Sequence, residues 1–245
     1  MTLVAAACGG GGGTKTVTVT QTVTVSTSTS PGPTATSLRV YFLLNGKVQP
    51  VVRTVPKTTA VAGAALNALI EGPTAQEKQI GLSTQVSSEA RWNVDHTGGV
   101  LTLHGDVPSG SALAQVVFTL TQFPSATAVS IGGKQYTRAD LEDFAPAILV
   151  ELPLPFQAVA SPLRAAGSAD TFEATFQYEL TDGSGKVLAK RFATATSGSG
   201  VRGTFDITIP FTISQSGPGT LKVYESSAAN GKPIHVVQIP LQLEP

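Results

Sequence analysis

Cysteine occurs once in the 245 residues, at Cys8, so an intramolecular disulfide and a cysteine-based zinc site are arithmetically excluded. Charge is also scarce: 13% of residues are charged, and 16 Lys and Arg balance 16 Asp and Glu. With no net field to draw in a polyanion, nucleic acid is not expected as a partner. No stretch approaches the roughly 18 consecutive apolar residues of a membrane-spanning helix. Histidine occurs three times and aromatics make up 6% of the chain. What the sequence does hold is 41% hydrophobic residues, enough apolar material for packed cores, and the length favours two modest ones in series.

The N-terminus reads as a tether. Leu3, Val4 and Ala5 to Ala7 run into Cys8 and then Gly9 to Gly13, which resembles the lipobox of a bacterial lipoprotein signal. The resemblance implies cleavage before Cys8 and acylation of its thiol, which would anchor the chain on the extracytoplasmic face of the cell membrane; without acylation the protein would be secreted and free. From Gly9 to about residue 36 the chain is rich in Gly, Thr, Ser and Pro, the composition of an extended and sometimes O-glycosylated stalk. As a coil, its length corresponds to an average span of about 30 Å and a limit of about 90 Å. Thr16 to Val25 alternates Thr and Val like a strand, but its valines alone make no core, and an added edge strand is the alternative reading.

Residues 37–145 carry the pattern of an α+β domain, a small sheet with helices on one face. Leu38, Val40, Phe42 and Leu44 alternate with their neighbours, and Asn45-Gly46 supplies a tight turn into a second strand. Thr58 or Thr59 can cap a helix whose apolar positions Val61, Ala65, Leu66, Ala68 and Leu69 share a face, and Gly72-Pro73 ends it. Thr74 to Glu77 matches a capping box opening a short helix that Gly81 can close. A hairpin is expected around Trp92 and Val94, turning at Thr97-Gly98-Gly99 into Val100 to His104. Leu113, Val116, Val117 and Leu120 mark the clearest helix, which Pro124 ends. A strand through Ala128 to Ile131 completes the order ββααββαβ.

Residues 146–245 lose helical periodicity. Seven candidate strands fall at 148–152, 163–168, 172–180, 186–194, 203–211, 220–226 and 234–243, with Asp182-Gly183 and Asn230-Gly231 as turns. The third predicts Phe172, Ala174, Phe176, Tyr178 and Leu180 on a buried face. Seven short strands in about 100 residues point to an immunoglobulin-like β-sandwich without a disulfide between its sheets.

Several segments resemble known families. Val40–Val48, Ala68–Thr74, Gly81–Thr84 and Leu113–Pro124 are similar to the GerM-type (GerMN) sporulation and spore-germination domain. Ser161–Leu163, Phe172–Tyr178, Arg202–Phe205 and Pro233–Val237 are similar to the immunoglobulin-like domain that often follows it. The resemblance implies a non-enzymatic envelope lipoprotein, its first domain similar to ring-building modules of sporulation assemblies. It brings no ligand-binding or catalytic residue set.

The candidate chemistry is sparse. A hydrolytic site would need a nucleophile, a base and an orienting group; Asp95 and His96 sit in an expected hairpin turn, His104 at a strand end, and His235 at a sheet rim. No H-E-x-x-H, G-x-S-x-G or P-loop is present, and no two histidines are spaced for a metal. Asp140, Glu142 and Asp143 form the single acidic cluster. After Thr137 it reads as the first turn of a short helix, with Leu141 and Phe144 facing a core or the second domain at an interdomain hinge. Ser197 to Gly200 is expected to be a flexible hairpin, since no helix follows to complete a phosphate cradle. Neither an enzyme nor a cofactor or metal site is therefore expected. The leading expectation is an adaptor docking envelope proteins or copies of itself through sheet edges, with a peptidoglycan- or carbohydrate-binding module using Trp92 and Tyr136 as the alternative.

Overall fold

The computed structural model describes residues 34–245. In chain order its elements are β1 (Ala35–Leu44), β2 (Lys47–Pro56), α1 (Val61–Glu71), α2 (Ala75–Gln79), β3 (Leu82–Ser83), β4 (Trp92–Thr97), β5 (Val100–Gly105), α3 (Gly110–Leu120), β6 (Ala128–Ile131) and β7 (Lys134–Tyr136). A 3-10 turn at Ala139–Phe144 leads into β8 (Ile148–Leu152), β9 (Ala158–Val159), β10 (Leu163–Ala169), β11 (Thr175–Asp182), β12 (Val187–Thr194), β13 (Gly203–Ile209), β14 (Gly217–Ser226) and β15 (Pro233–Leu243).

The first half is an α+β domain with two sheets rather than one: β2-β1-β3 and β4-β5-β6-β7. The split follows from pairing. The hairpin through Asn45-Gly46 runs the full ten residues of β1 against β2, whereas β3 reaches only Leu43 and Leu44. In the second sheet β5 and β6 pair in parallel, which requires the crossover that α3 supplies. One apolar core joins both sheets and the helices, with Phe42, Leu66, Leu69, Val116, Leu120 and Val129 fully enclosed. Helix α2 starts on the expected capping box, Thr74 Oγ1 accepting from the Glu77 amide and Glu77 Oε2 from the Thr74 amide. Helix α1 begins later than Thr58 or Thr59 would place it; Thr58 Oγ1 instead accepts from the Ala60 amide and tightens the entry.

The second half is a sandwich of a three-stranded sheet, β13-β10-β8, and a five-stranded sheet, β12-β11-β14-β15-β9. All seven expected strands are present, and the short β9 adds parallel pairing at the edge beside β15. Phe176, Tyr178, Leu180, Leu221, Val223 and Ile239 fill the inner face. Phe172 departs from the expected alternation: it opens a 3-10 turn and is 63% exposed, because Glu173 and Ala174 take left-handed backbone conformations and break the period before β11.

Among the described residues no helix is long and apolar enough to cross a membrane. Cys8 and the whole Gly9 to Thr16–Val25 stretch lie outside the described residues.

Candidate functional site at the joint between the domains

Alternation along β8 sets up the joint. Leu149 belongs to the core of the first domain, while Ile148 and Val150 belong to the core of the sandwich. A strand that turns successive side chains to opposite faces thus serves both domains. What sequence reading treated as a boundary is a shared wall.

Around that wall sits a tightly coupled charge cluster. Tyr41 comes from the middle of β1, Arg138 from the turn before the 3-10 segment, and Glu151 from β8. The Tyr41 hydroxyl donates to Glu151 Oε1, and Arg138 donates to the same oxygen at 2.8 Å. Arg138 also donates to Tyr41 Oη at 3.1 Å, the Phe118 carbonyl at 3.2 Å and Thr121 Oγ1 at 2.8 Å. Its guanidinium lies 5.2 Å from the Tyr41 ring centroid and 4.9 Å from that of Phe118, within cation–π range. Burial pushes the Tyr41 phenol well above its ordinary range, against the opposing pull of Arg138. Burial would also raise the Glu151 carboxyl, but the Arg138 charge and hydrogen bonds from Tyr41 and Arg138 hold it below its usual value.

Further ties cross or brace the joint. Glu142 and Arg202 pair at 2.6 Å, and Arg202 also donates to the Pro146 carbonyl at 2.8 Å. Lys47 Nζ, at the hairpin tip, donates to the Asp143 carbonyl at 2.6 Å. Leu141 is buried in the first core and Phe144 packs on it. The acidic cluster is therefore a fastening rather than the expected hinge: Asp140 Oδ2 caps Thr137, Glu142 reaches the second domain, and Asp143 offers its main chain.

Two depressions flank the joint. One, of about 450 Å³, is lined by Arg39, Glu151, Arg164, Thr196, Thr204 and Asp206 among others; the other, of about 180 Å³, lies between Asn45, Lys47, Pro146 and His235. In the larger one Glu151 is already engaged and Arg164 pairs with Asp206 at 2.6 Å. That leaves no free base beside a nucleophile.

The other sequence candidates disperse. Asp95 and His96 stand on β4 rather than in a turn, because Thr97-Gly98-Gly99 tightens the hairpin beyond them. His96 Nε2 meets the Ser125 carbonyl at 3.2 Å, and Asp95 Oδ2 meets His104 Nε2 at 3.0 Å, both on exposed surface. No serine hydroxyl joins this pair. His235 Nδ1 contacts Glu225 Oε2 at 2.9 Å beside a break in the β14–β15 register. Ser197 to Gly200 is a crossover between the sheets rather than a flexible hairpin; a Cβ on Gly198 would stand 2.4 Å from the Thr171 carbonyl oxygen. Among the described residues no group of three or more His, Cys, Asp or Glu is placed to hold a metal ion. Trp92 and Tyr136 occupy opposite edge strands, β4 and β7, of a four-stranded sheet, and the registers set Tyr136 level with His96, four residues along β4 from Trp92, so they lie farther apart than the roughly 14 Å between those strands. They form no common platform for a sugar, and the Trp92 ring nitrogen already donates to the Asp106 carbonyl.

Sequence reading missed Tyr41, Arg138 and Glu151, which lie 110 residues apart at their extremes. It also missed a polar row on α3. Gln115 and Thr119 are fully buried, and Gln122 follows just after the helix. The Tyr41 amide donates to Thr119 Oγ1, the Arg39 amide to Gln122 Oε1, and the Gln115 and Gln122 amides donate to the Tyr41 and Arg39 carbonyls. These side chains close the edge of β1 where no strand follows it. Their i, i+4, i+7 spacing was visible in the sequence.

Residues 39–137 match the family described as sporulation and spore germination, and residues 147–232 match the immunoglobulin-like domain of bacterial spore germination. Among solved structures, the tandem GerMN domains of the sporulation protein GerM from Bacillus subtilis are 26% identical, with 46% of this chain and 43% of that chain covered and a TM-score of 0.36. This chain thus spans less than half of that structure's length. No curated protein matches the chain. Both matched families are sporulation and germination domains rather than enzyme families. Along the chain, a domain matching the sporulation and spore germination family is thus followed by one matching the immunoglobulin-like domain of bacterial spore germination.

Proposed function

We propose that this germination-related protein is a non-enzymatic adaptor of the bacterial envelope, lipid-anchored through Cys8 and presenting its two domains as one body to envelope proteins or to further copies of itself. The observation that carries the reading is the joint: Tyr41, Arg138 and Glu151 satisfy one another, and Glu142 and Arg202 do the same. Groups perturbed for catalysis need an open partner; these are closed on themselves and fix a shape. An adaptor needs that, since a rigid body delivers two surfaces at a set spacing.

The test has two arms. Globomycin-sensitive lipid labelling of the full chain should vanish in Cys8→Ala. A photo-crosslinking residue placed in turn at Val107, Val201 and Phe192, all strongly exposed, should capture a protein neighbour in intact envelopes from at least one position. Silence at all three sinks the adaptor.

A further inference from the structure

Strand β12 ends the five-stranded sheet, and it pairs with β11 on one side alone. The Ala195 amide donates to the Ala174 carbonyl, in register with the β11–β12 ladder. Antiparallel pairs alternate between hydrogen-bonded and non-bonded. Counting from Ala174 and Ala195, the pairs at Arg191 and Ala193 are bonded, and those at Lys190 and Phe192 are not. The N–H and C=O groups of Lys190 and Phe192 therefore face away from β11, toward the open edge. Phe192 is 71% exposed. Nothing among the described residues donates to or accepts from these groups.

The side chains define what could pair there. Lys190 and Phe192 share the outer face of the sheet, where Lys190 contacts Glu179 at 2.9 Å and remains half exposed. Arg191 has the opposite orientation, since it pairs with the inward-facing Tyr178, and it is exposed with no ion-pair partner among the described residues. A second copy is a poor occupant. Antiparallel pairing of β12 with itself about this stretch sets Arg191 against Arg191, and like charges directly opposite are destabilising. Inward-pointing charge is also a known guard of sheet edges. An acidic strand meets no such barrier.

We infer that β12 is a docking edge for an extended segment of a partner protein in which an apolar residue is followed by two acidic ones. Run antiparallel, the apolar residue lies beside Phe192, the first acid opposite Arg191 and the second opposite Lys190. Main-chain bonds at Lys190 and Phe192 supply the attachment, and the two cations choose the sign. This identifies the partner chemistry of one edge and rests on the adaptor reading.

The test uses the purified protein and two short strand-forming peptides, one with an apolar-Glu-Glu centre and one with apolar-Lys-Lys. Binding of the acidic peptide should shift the backbone NMR signals of Lys190 and Phe192, weaken as salt rises, and fall about tenfold or more in K190E/R191E. The double variant should then prefer the basic peptide, a gain that mere unfolding cannot produce. Unshifted Lys190 and Phe192 signals, undiminished binding in the double variant, or a dimer held together by β12 would each overturn the inference. If the crosslinker captures neighbours at Val107 or Val201 but the edge fails these tests, the adaptor stands and the edge assignment falls.

Discussion

The two domains treat their sheet edges in opposite ways. In the first, β1 lacks a strand beside Arg39 and Tyr41, and the gap is covered by the buried Gln115 and Thr119 of α3 and the partly buried Gln122 just after it, each hydrogen-bonded to the β1 main chain. In the sandwich, β12 keeps its main chain open and surrounds it with Lys190, Arg191 and Phe192. A covered edge is a matter of stability, since its polar groups must be satisfied where they lie. An edge guarded by charge costs the fold little and stays available to a chain of the right sign. The joint belongs to the first kind, and the contrast can be broken or sharpened by substitution.

The largest effect should come from the joint itself. In Arg138→Met the Glu151 carboxylate keeps its burial and loses its countercharge, and Tyr41 loses a donor. Both partners are partly buried, so removing one should cost somewhat less than in a dry interior, about 2.5 kcal/mol, a drop in Tm of about 5–10 °C for a body of this size. Chemical denaturation followed by circular dichroism would measure it. The double variant R138M/E151L should recover much of the loss, because apolar replacement of both partners removes the stranded charge. Equal losses in the single and double variants would mean that the cluster contributes by packing alone.

The covered edge comes next. Gln115→Leu keeps the volume but strands the Tyr41 carbonyl and the Gln85 amide, which now bonds Gln115 Oε1 at 2.9 Å. Leaving buried polar groups unpaired costs about 2 kcal/mol. Amide exchange at Gln85 should accelerate with it, while the Tyr41 amide keeps Thr119 Oγ1 as its acceptor and serves as the internal control. An apolar helix that tolerated leucine there would show the polar row to be incidental.

Acid should expose the joint on a smaller scale. Glu151 and Glu77 both titrate below their ordinary 4.5 in the folded protein, burial being outweighed by Arg138 and Tyr41 in one case and by Arg53 and Thr74 in the other. A depressed carboxyl contributes stability that is present above its unfolded value and lost as pH falls through its folded one. Tm should therefore decline below about pH 4.5, and E151Q, less stable at neutral pH, should decline less steeply. Parallel acid limbs in the two proteins would remove Glu151 from the account.

Much of this was legible in the residues. Most of the sandwich strands could be located because they alternate with one apolar face, and the Thr74–Glu77 capping box appeared as written because its two hydrogen bonds are local. Failures came where partners are distant. Nothing near Tyr41 announces Glu151, and a tyrosine in an apolar strand reads as core. Phe172 misled for a different reason: its parity agreed with Phe176, but parity holds only while the backbone stays extended, and two left-handed residues intervene. Gln115 and Thr119 carried a readable signal, since helix-spaced polar residues on a buried face must find partners.

The smallest expected change in stability bears most on the comparison. Arg191→Val should alter ΔG by no more than about 0.5 kcal/mol, because Arg191 is exposed and forms no ion pair among the described residues. Its effect should lie between molecules. With the charge gone, two copies of β12 can meet antiparallel, Val against Val, using the same Lys190 and Phe192 main-chain groups that face solvent, while each Lys190 lies beside a Phe192 rather than another cation. Sedimentation velocity should find the parent free of β12-mediated pairs and the variant associating at high concentration, with the R191V/F192T variant less associated because its apolar surface is reduced. If R191V sediments as the parent does, charge is not what keeps this edge single, and some covering feature must hold it closed as α3 does β1.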